Sequence, residues 1–479
     1  MKGGQLKILN EDQIHQIHQQ ALKILAEIGM RVREPQALEI LKKAGARADG
    51  NIVKLPAKLV KEAVDQAPAK FTLYGRDTDV QAVMGELNVY YEPMIGRLNI
   101  LDLQTGQRRR TSIDDVANLV KLADALDNYL VLHSGAIMPR IEGVPDGLAH
   151  IRGYIASVKN SSKIIKGSCR GKKVARDCLR MASIVAGGEE KASQKPNLFT
   201  SVNVISPLEF SVEQTEGLIE YAKRGMPVDI ASEPQVGATS PVTFAGTLAQ
   251  QTAEILCGIV ISQLVNPGTP VLMGTVGAAM DMRNGMIALG GVEAAILNVA
   301  HAQMAQFYDI PSRGTGCNTE SKCLDIQAGF EKAITLLAPA LAGANMIFYP
   351  GTMEHALTIS LESLLIDNEI CGMAYHMLRG VDTSETHMAY DLIAEVGQGN
   401  HYLNKKHTME NLTTEHYIPK IADRQSWDVW VEQGEKQLWE VARDEVEKIL
   451  DRHQPLPLSP ECEKELAEYE KYVEKRELG

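Results

Sequence analysis

Apolar segments recur at regular intervals along the middle of the chain. Strand-like apolar runs begin near Tyr129, Ser162, Leu198, Pro227, Thr269 and Ala344, with a weaker one near Phe307. Helical patterns such as 244–264 fill the intervals of about 30 to 40 residues, and this alternation is typical of right-handed βαβ units around a parallel sheet.

The length of this alternating region favours a closed barrel. Eight units of about 35 residues need about 280 residues, and residues 125–400 supply them. No GxGxxG motif follows the first strand-like run, so an α/β fold of the (β/α)8 TIM barrel type is favoured over a doubly wound sheet. The eighth strand has the weakest pattern, and we predict it within residues 392–396.

The two ends of the chain differ from this middle. Asn10 can cap a helix that stops at Gly29, and further helices are predicted over 35–43 and from Pro56. Short strand-like pieces follow at 71–74, 88–91 and 97–101. We therefore predict an N-terminal α+β cap over 1–125, a barrel over 126–424 and a C-terminal helical extension over 425–479.

Charge and cysteine content exclude several classes of protein. The chain has 61 acidic and 49 basic residues. Its one dense basic run, Arg108–Arg110, suits a solvated hairpin edge better than an anion or partner contact. Nucleic-acid binding is therefore disfavoured. Seven cysteines without CxxC spacing indicate reduced thiols in a cytoplasmic protein. Cys317 and Cys323 lack a histidine at ligand spacing, so no metal site is predicted. Neither a secretory h-region nor a stretch of about 18 apolar residues is present, which disfavours secretion and a membrane span.

Candidate chemistry lies after the barrel strands, because the active sites of TIM barrels are built at the carboxyl ends of the strands. Arg313 follows the sixth strand, where it fits a structural ion pair and a carboxylate clamp equally well. His355 follows the seventh strand, and Glu254 lies on a helix whose face is apolar, where a buried carboxylate needs a partner. Glu254 and His355 are the catalytic candidates.

Small and aromatic residues provide further candidates. Gly274, Gly277 and Gly314 are turn residues in the simplest interpretation, and they would also let a planar macrocycle approach the backbone. Tyr90 and Tyr91 are adjacent, so on a strand their side chains point to opposite faces. One of them can then reach the barrel mouth, with core packing as the alternative.

Several long stretches of the chain resemble the trimethylamine methyltransferase superfamily. They include SPVTFAGTLAQQTAEILCGIVISQLVNPGTPVLMG, MDMRNGMIALGGVEAAILNVAHAQ, DIQAGFEKAITLLAPALAGAN, GRLNILDLQTGQRRRTSIDDVANLVKLADAL and SLESLLIDNEI. These segments are distributed over nearly the whole chain. The family consists of corrinoid-dependent methyltransferases with a TIM barrel, so the resemblance implies the same fold and type of reaction.

One departure from the family pattern narrows the range of expected substrates. The enzymes for trimethylamine carry pyrrolysine after a late barrel strand, where this chain has ordinary residues around 350–355. Members without pyrrolysine that have an assigned activity use quaternary amines such as glycine betaine, proline betaine, carnitine and γ-butyrobetaine. The resemblance thus implies methyl transfer from a quaternary amine, with glycine betaine first, to the Co(I) corrinoid (cobalamin) of a partner protein. The chain itself has no DxHxxG motif to hold cobalamin.

The chemistry of a quaternary amine sets the requirements for the site. The cation leaves as a neutral tertiary amine, so the protein needs to position and desolvate the substrate and needs no general acid. We expect Arg313 to clamp the carboxylate and His355 to contact the substrate or the corrinoid face. The candidates for an aromatic cation box are Tyr90, Tyr91, Phe348 and Tyr349.

Two other classes of function stay open at this point. One is a barrel lyase or decarboxylase that uses Arg313 and His355 without a corrinoid protein. The other is a betaine-binding protein without catalytic activity. The C-terminal helices are expected to pack on the barrel or on a neighbouring subunit of a homo-oligomer.

Overall fold

The computed structural model describes residues 1–479, and its helices account for nearly half of the chain. They are α1 (Glu11–Lys23), α2 (Pro35–Lys43), α3 (Ala57–Gln66), α4 (Ile113–Ala125), α5 (Ala149–Asn160), α6 (Gly171–Ala186), α7 (Glu189–Gln194), α8 (Val212–Lys223), α9 (Phe244–Val265), α10 (Val292–Phe307), α11 (Ile326–Ala342), α12 (Leu361–Leu378), α13 (Glu385–Met388), α14 (Tyr390–Val396), α15 (Lys406–Glu415), α16 (Trp427–Glu432), α17 (Leu438–Arg452) and α18 (Pro460–Leu478). Short π and 3-10 turns lie at Ile24–Ile28, Gly135–Ile137 and Asp146–Leu148.

The strands are short. They are β1 (Met30–Val32), β2 (Arg47–Asp49), β3 (Ile52–Lys54), β4 (Phe71–Tyr74), β5 (Gln81–Met84), β6 (Tyr90–Glu92), β7 (Asn99–Leu101), β8 (Arg108–Arg110), β9 (Val131–His133), β10 (Ile164–Gly167), β11 (Leu198–Val204), β12 (Glu209–Phe210), β13 (Val228–Ser232), β14 (Gln235–Val236), β15 (Val271–Thr275), β16 (Ala278–Asp281), β17 (Met286–Ala288), β18 (Ser312–Thr315), β19 (Met346–Phe348), β20 (Thr352–Met353) and β21 (Thr358–Ile359).

Eight parallel strands form the predicted TIM barrel, which is thereby confirmed. They pair in the order β6-β19-β18-β15-β13-β11-β10-β9, and the parallel bridges Tyr91–Tyr129 and Met94–His133 join β6 to β9 and close the ring. Helices α5, α6, α8, α9, α10 and α11 connect successive strands on the outside. The helix α9 is long and apolar enough to cross a membrane, but 89% of its most apolar window is buried inside the protein.

The predicted eighth strand within residues 392–396 is wrong, because these residues belong to helix α14. The strand that completes the barrel is β6, which comes from the predicted cap and pairs with β19 through Met346–Tyr90 and Phe348–Glu92. The sixth strand also lies later than the weak apolar run near Phe307 predicted. The strand is Ser312–Thr315, and Phe307 is the last residue of a helix. The divisions at 125 and 424 stay predictions.

The N-terminal segment contains the predicted mixture of helices and strands. The Asn10 side chain accepts a hydrogen bond from the Gln13 backbone N–H, and the Gln13 side chain accepts one from the Asn10 backbone N–H. This capping box begins α1 at the predicted position. The hairpin of β4 and β5 packs against the apolar interior at the amino end of the barrel, together with Val131, Leu272 and Met346. The hairpin therefore closes one end of the barrel, and any ligand must enter from the carboxyl ends of the strands.

The C-terminal helices lie against the outside of the barrel. Helix α17 packs on α12 and α4, and α18 packs on α6 and α5. Asp177 of α6 fixes α18, because Arg476 and the Tyr469 hydroxyl both donate to its carboxylate. The predicted helical extension is present, and at its end it is held by buried polar contacts.

Candidate active site

A cavity of about 310 Å³ opens at the carboxyl ends of the barrel strands. This is the end that the β4–β5 hairpin leaves free, and the volume lies in the range of small-molecule sites. Its lining includes Arg97, His133, Lys166, Glu233, Arg313, Phe348 and Tyr349. Each of these residues lies at or just after a barrel strand, so the fold brings together segments that are far apart in sequence.

A chain of buried ion pairs forms the floor of the cavity. Glu92 of β6 contacts Lys166 Nζ at 3.1 Å and Arg313 Nε at 3.3 Å. Arg313 Nη1 also lies 3.1 Å from Asp229 Oδ2, and the Ser201 hydroxyl donates to the same carboxylate. All four charged side chains are at most 2% exposed. Two carboxylates thus neutralise two cations within the barrel.

The pKa values of the two cations respond differently to this burial. Burial lowers the pKa of Lys166, and the neighbouring Arg313 lowers it further. Burial also opposes the charge of Arg313, but Asp229 and Glu92 outweigh it, so the pKa of this guanidinium is raised. Arg313 therefore stays charged and belongs mainly to the protein's own ion-pair chain.

Gly274 has a packing role in this floor. A Cβ at this position of β15 would lie 2.0 Å from Asp229 Oδ1 and 3.0 Å from the Ala231 Cα, so only glycine leaves room for the carboxylate. Gly314 faces the helix layer, where a Cβ would lie 2.5 Å from Asn298 Oδ1. The predicted approach of a corrinoid to Gly274, Gly277 and Gly314 stays a prediction. At Gly274 and Gly314, however, the structure shows a reason for glycine that needs no ligand.

Apart from the exposed Arg170, Arg97 and Glu233 are the charged side chains of the cavity without an ion-pair partner. The Nε of Arg97 is buried and has no hydrogen-bond partner, and its guanidinium carbon lies 5.1 Å from the centre of the Tyr349 ring. Burial lowers the pKa of Arg97 from a very high ordinary value. Glu233 is accessible to water because it lines the cavity, yet the surrounding protein raises its pKa by desolvation. Apart from Arg170, the cavity thus offers one cation and one anion that no ion pair within the protein neutralises.

An aromatic wall stands beside these charges. The rings of Phe348 and Tyr349 stack with their centres 4.1 Å apart, and the Arg313 guanidinium lies 4.0 Å from the Phe348 centre. Tyr349 has a φ of +106°, a conformation that costs energy in a non-glycine residue and that surrounding contacts must hold. The strained turn places the rings of Phe348 and Tyr349 on the cavity, and their role as a cation box stays a prediction.

His133 of β9 completes the lining next to Phe348, with ring centres 5.1 Å apart. Burial lowers the pKa of His133 well below its ordinary value, and Lys166, Arg97 and Arg313 lower it further. Its Nδ1 is buried without a hydrogen-bond partner. A neutral imidazole therefore lines the cavity without changing its balance of charge.

The structure does not bring Tyr90 and Tyr91 to the cavity. Tyr90 points into the barrel, but at the closed end, where its hydroxyl accepts from the Val83 backbone N–H. Tyr91 points outward and packs on Tyr375 with ring centres 4.6 Å apart. Because side chains alternate along a strand, the residue of β6 that reaches the cavity floor is Glu92.

Glu254 and His355 also lie outside the cavity lining. The Glu254 carboxylate accepts from Ser206, Ser232, Gln250 and the Leu208 backbone, which use its oxygens within the protein. His355 Nδ1 contacts the Ile287 carbonyl at 2.9 Å. Their catalytic roles stay predictions, and in this structure Glu254 holds the loop that follows β11.

Sequence reasoning missed Glu92, Arg97, Lys166, Asp229 and Glu233. Two of them, Lys166 and Asp229, carried a usable signal, because an ionisable residue inside an apolar strand run needs a buried partner. The runs SKIIKG and PVDIAS contain them. Glu92 and Arg97 follow only once β6 is recognised as a barrel strand.

Fold and site define a TIM-barrel enzyme with a charged cavity at the carboxyl ends of its strands, and comparison with known proteins identifies the family. Residues 2–478 match the family described as trimethylamine methyltransferase (MTTB). The chain is 37% identical to the glycine betaine methyltransferase of Desulfitobacterium hafniense (strain Y51) over 460 residues, which is 96% of this chain and 95% of that protein. It is 33% identical to the trimethylamine methyltransferase MttB of Methanosarcina barkeri (strain Fusaro / DSM 804), over 97% of this chain and 95% of the relative.

A solved structure supports the same fold. The monomethylamine methyltransferase MtmB of Methanosarcina barkeri superposes with a TM-score of 0.55 over 94% of this chain and 89% of its own, at 13% identity. The chain belongs to the trimethylamine methyltransferase family and is a methyltransferase.

Proposed function

We propose that this chain transfers a methyl group from glycine betaine to the Co(I) corrinoid of a partner protein and releases dimethylglycine. The observation that carries the proposal is the pair of unpartnered charges, Arg97 and Glu233, beside an aromatic wall. A betaine carries one carboxylate and one quaternary ammonium, so it supplies an opposite charge for Arg97 and another for Glu233. The 37% identity to a glycine betaine methyltransferase supports the same substrate.

The residues of the cavity have separate tasks in this reaction. Arg97 binds the carboxylate through its fork of N–H donors, and this contact fixes the orientation of the substrate. Phe348 and Tyr349 face the cation, where a cation–π contact contributes about 0.5 to 2 kcal/mol, and Glu233 adds a negative charge. No residue has to donate a proton, because the leaving group is a neutral amine. A neutral His133 is consistent with this requirement.

The mouth of the cavity fits a corrinoid brought by a partner. Loops after β13 and β15 form the small sheet of β14, β16 and β17, and they expose Val242 at 71% and Met282 at 63%. Apolar side chains at a rim are suited to a macrocycle and its carrier protein. When bound, the corrinoid supplies the Co(I) nucleophile that accepts the methyl group.

Related substrates share the chemistry that the cavity recognises. Proline betaine, carnitine and γ-butyrobetaine also combine a carboxylate with a quaternary ammonium, and a difference of one methylene is worth only about 1 to 3 kcal/mol in a pocket. The lyase and the non-catalytic binding protein are not favoured, because the family consists of methyltransferases. We place the reaction in the cytoplasm, which the seven free cysteines support.

The reaction is tested by mixing the purified protein anaerobically with Co(I) cobalamin and a panel of amines. We expect loss of the Co(I) absorbance and formation of dimethylglycine with glycine betaine, and no reaction with trimethylamine, which lacks both a carboxylate and a fixed charge. If free cobalamin does not react, the cognate corrinoid protein replaces it. Absence of turnover with every betaine in both formats would contradict the proposal.

We also propose that the chain forms a homo-oligomer through an exposed apolar segment, residues 379–431, which we call the arm. Only Val396 and Ile421 are buried in it. Its exposed large apolar side chains are Val381, Met388, Tyr390, Ile393, Tyr402, Leu403, Met409, Leu412, Ile418, Trp427 and Val431. At about 150 to 250 Å² for a large aromatic side chain, they leave on the order of 1,000 Å² of apolar surface. Summed over the arm, this area is comparable to the surface of about 800 Å² that each partner buries in a stable interface.

The double substitution Leu403→Glu/Met409→Glu is expected to weaken self-association by about a hundredfold, because each carboxylate would be buried without a partner at about 1 to 3 kcal/mol. Light scattering after gel filtration measures the mass over a range of concentrations. Gln398→Glu/His401→Glu adds the same charge at exposed polar positions of the arm and serves as the control. A monomeric wild type, or a double variant that associates normally, would rule out the arm as the interface.

A further inference from the structure

A buried ion pair lies outside the cavity and has no part in the mechanism above. Lys332 of α11 and Asp367 of α12 join at 2.7 Å, with side chains only 1% and 0% exposed. Removing two charges from water is costly, and apolar residues of similar volume would often stabilise the protein equally well. The contacts that the pair makes with the backbone therefore matter more than the pair itself.

These contacts reach two turns of the barrel mouth. Lys332 Nζ donates to the Thr352 carbonyl at 2.7 Å and to the Cys317 carbonyl at 3.3 Å. Asp367 Oδ2 accepts from the Gly351 backbone N–H at 2.5 Å. Cys317 follows β18, and Gly351 and Thr352 follow β19. One ion pair thus ties together the turns after two neighbouring barrel strands.

The strands that lead into these turns bear side chains of the cavity, and the second turn begins with one of them, Tyr349. Strand β18 bears Arg313, and β19 leads from Phe348 directly into Tyr349. Tyr349 has a φ of +106°, and Gly351, two residues later, has a φ of +93°. Conformations of this kind persist only where neighbouring contacts hold them. The Gly351 N–H and the Thr352 carbonyl are the points at which the ion pair holds this turn.

We propose that Lys332 and Asp367 are positioning residues that set the geometry of the aromatic wall and thereby the affinity for the substrate cation. The affinity part of this inference rests on the proposed function, whereas the effect on the turns does not. Neither side chain lines the cavity, so their influence passes through the backbone of residues 316–317 and 349–352.

The test compares the wild type with Lys332→Met/Asp367→Leu, which removes both charges and leaves none unpaired. The turns lose three hydrogen bonds, so we expect amide exchange to accelerate about tenfold in peptides covering 316–320 and 349–353. We expect the KM for glycine betaine to rise about tenfold and kcat to change less, because substrate placement is affected more than chemistry. A merely structural role would reduce the amount of folded enzyme and leave KM unchanged.

Asp367→Asn and Asp177→Asn form a matched pair of single variants. Asp177 is equally buried and lies 2.6 Å from Arg476, but it is located on α6. We expect Asp367→Asn to accelerate exchange in the same two segments by about threefold, since the amide retains an acceptor for Gly351 but loses the charge beside Lys332. Asp177→Asn should leave both segments unchanged.

The outcomes separate this inference from the proposed function. Exchange is measured without substrate, so absence of betaine turnover in the wild type contradicts the proposed function and leaves the exchange result valid. If the double variant does not fold, the exchange rates of Asp367→Asn and Asp177→Asn test the positioning role instead. Unchanged exchange in both segments, or faster exchange with an unchanged KM in an enzyme that turns over betaine, overturns the positioning role.

Discussion

An Arg97→Met variant should lose about a hundredfold to a thousandfold in kcat/KM for glycine betaine and keep its fold. Removing one partner of a buried, hydrogen-bonded charge pair costs about 2 to 5 kcal/mol, and the substrate carboxylate would be that partner. Arg97 makes no ion pair within the protein, so no residue of the floor loses its counter-charge. Dimethylglycine formation gives the rate, and the melting temperature reports the fold.

The controls for this prediction use both the protein and the substrate. Arg97→Lys keeps the charge but loses the planar fork, and we expect an intermediate loss. Tetramethylammonium has no carboxylate, so whatever slow reaction it shows should be equal in the wild type and in Arg97→Met. Full betaine affinity in Arg97→Met would exclude Arg97 as the clamp and return that role to Arg313.

The sequence predicted the barrel well but not its closure. Periodic apolar runs identified six strands and placed a seventh a few residues too early. Strand β6 has only three residues, and its partner β19 lies more than 250 positions later in the chain. Local pattern carries no information on such a pairing, so the eighth strand was assigned to a segment that is helical.

The missed strand also explains which parts of the site were missed. The rule that active sites follow barrel strands led to Arg313, Phe348 and Tyr349, all of which line the cavity. Arg97 follows a segment that was assigned to the cap, so the same rule passed over it. Whether an arginine is paired depends on distant residues, and only the structure shows that Arg313 forms ion pairs with two carboxylates and Arg97 with none.

Arg313→Met is expected to act on stability more than on substrate binding. The substitution leaves Asp229 without its cation and leaves Glu92 with Lys166 alone, in a floor that is at most 2% exposed. Removing one partner of a buried ion pair costs about 3 to 5 kcal/mol, because the remaining charge stays buried and uncompensated. Urea unfolding should show a lower midpoint, and the melting temperature should fall by several degrees.

A compensated variant distinguishes lost charge balance from lost packing on Phe348. Arg313→Met/Asp229→Asn removes one cation together with one anion and should recover at least half of the lost stability. Failure to recover would assign the cost to the contact between Arg313 and the Phe348 ring at 4.0 Å. If Arg313→Met instead keeps wild-type stability and loses betaine affinity, Arg313 is the carboxylate clamp. The two arginines thus make opposite predictions: loss at Arg97 changes binding without unfolding, whereas loss at Arg313 changes folding first.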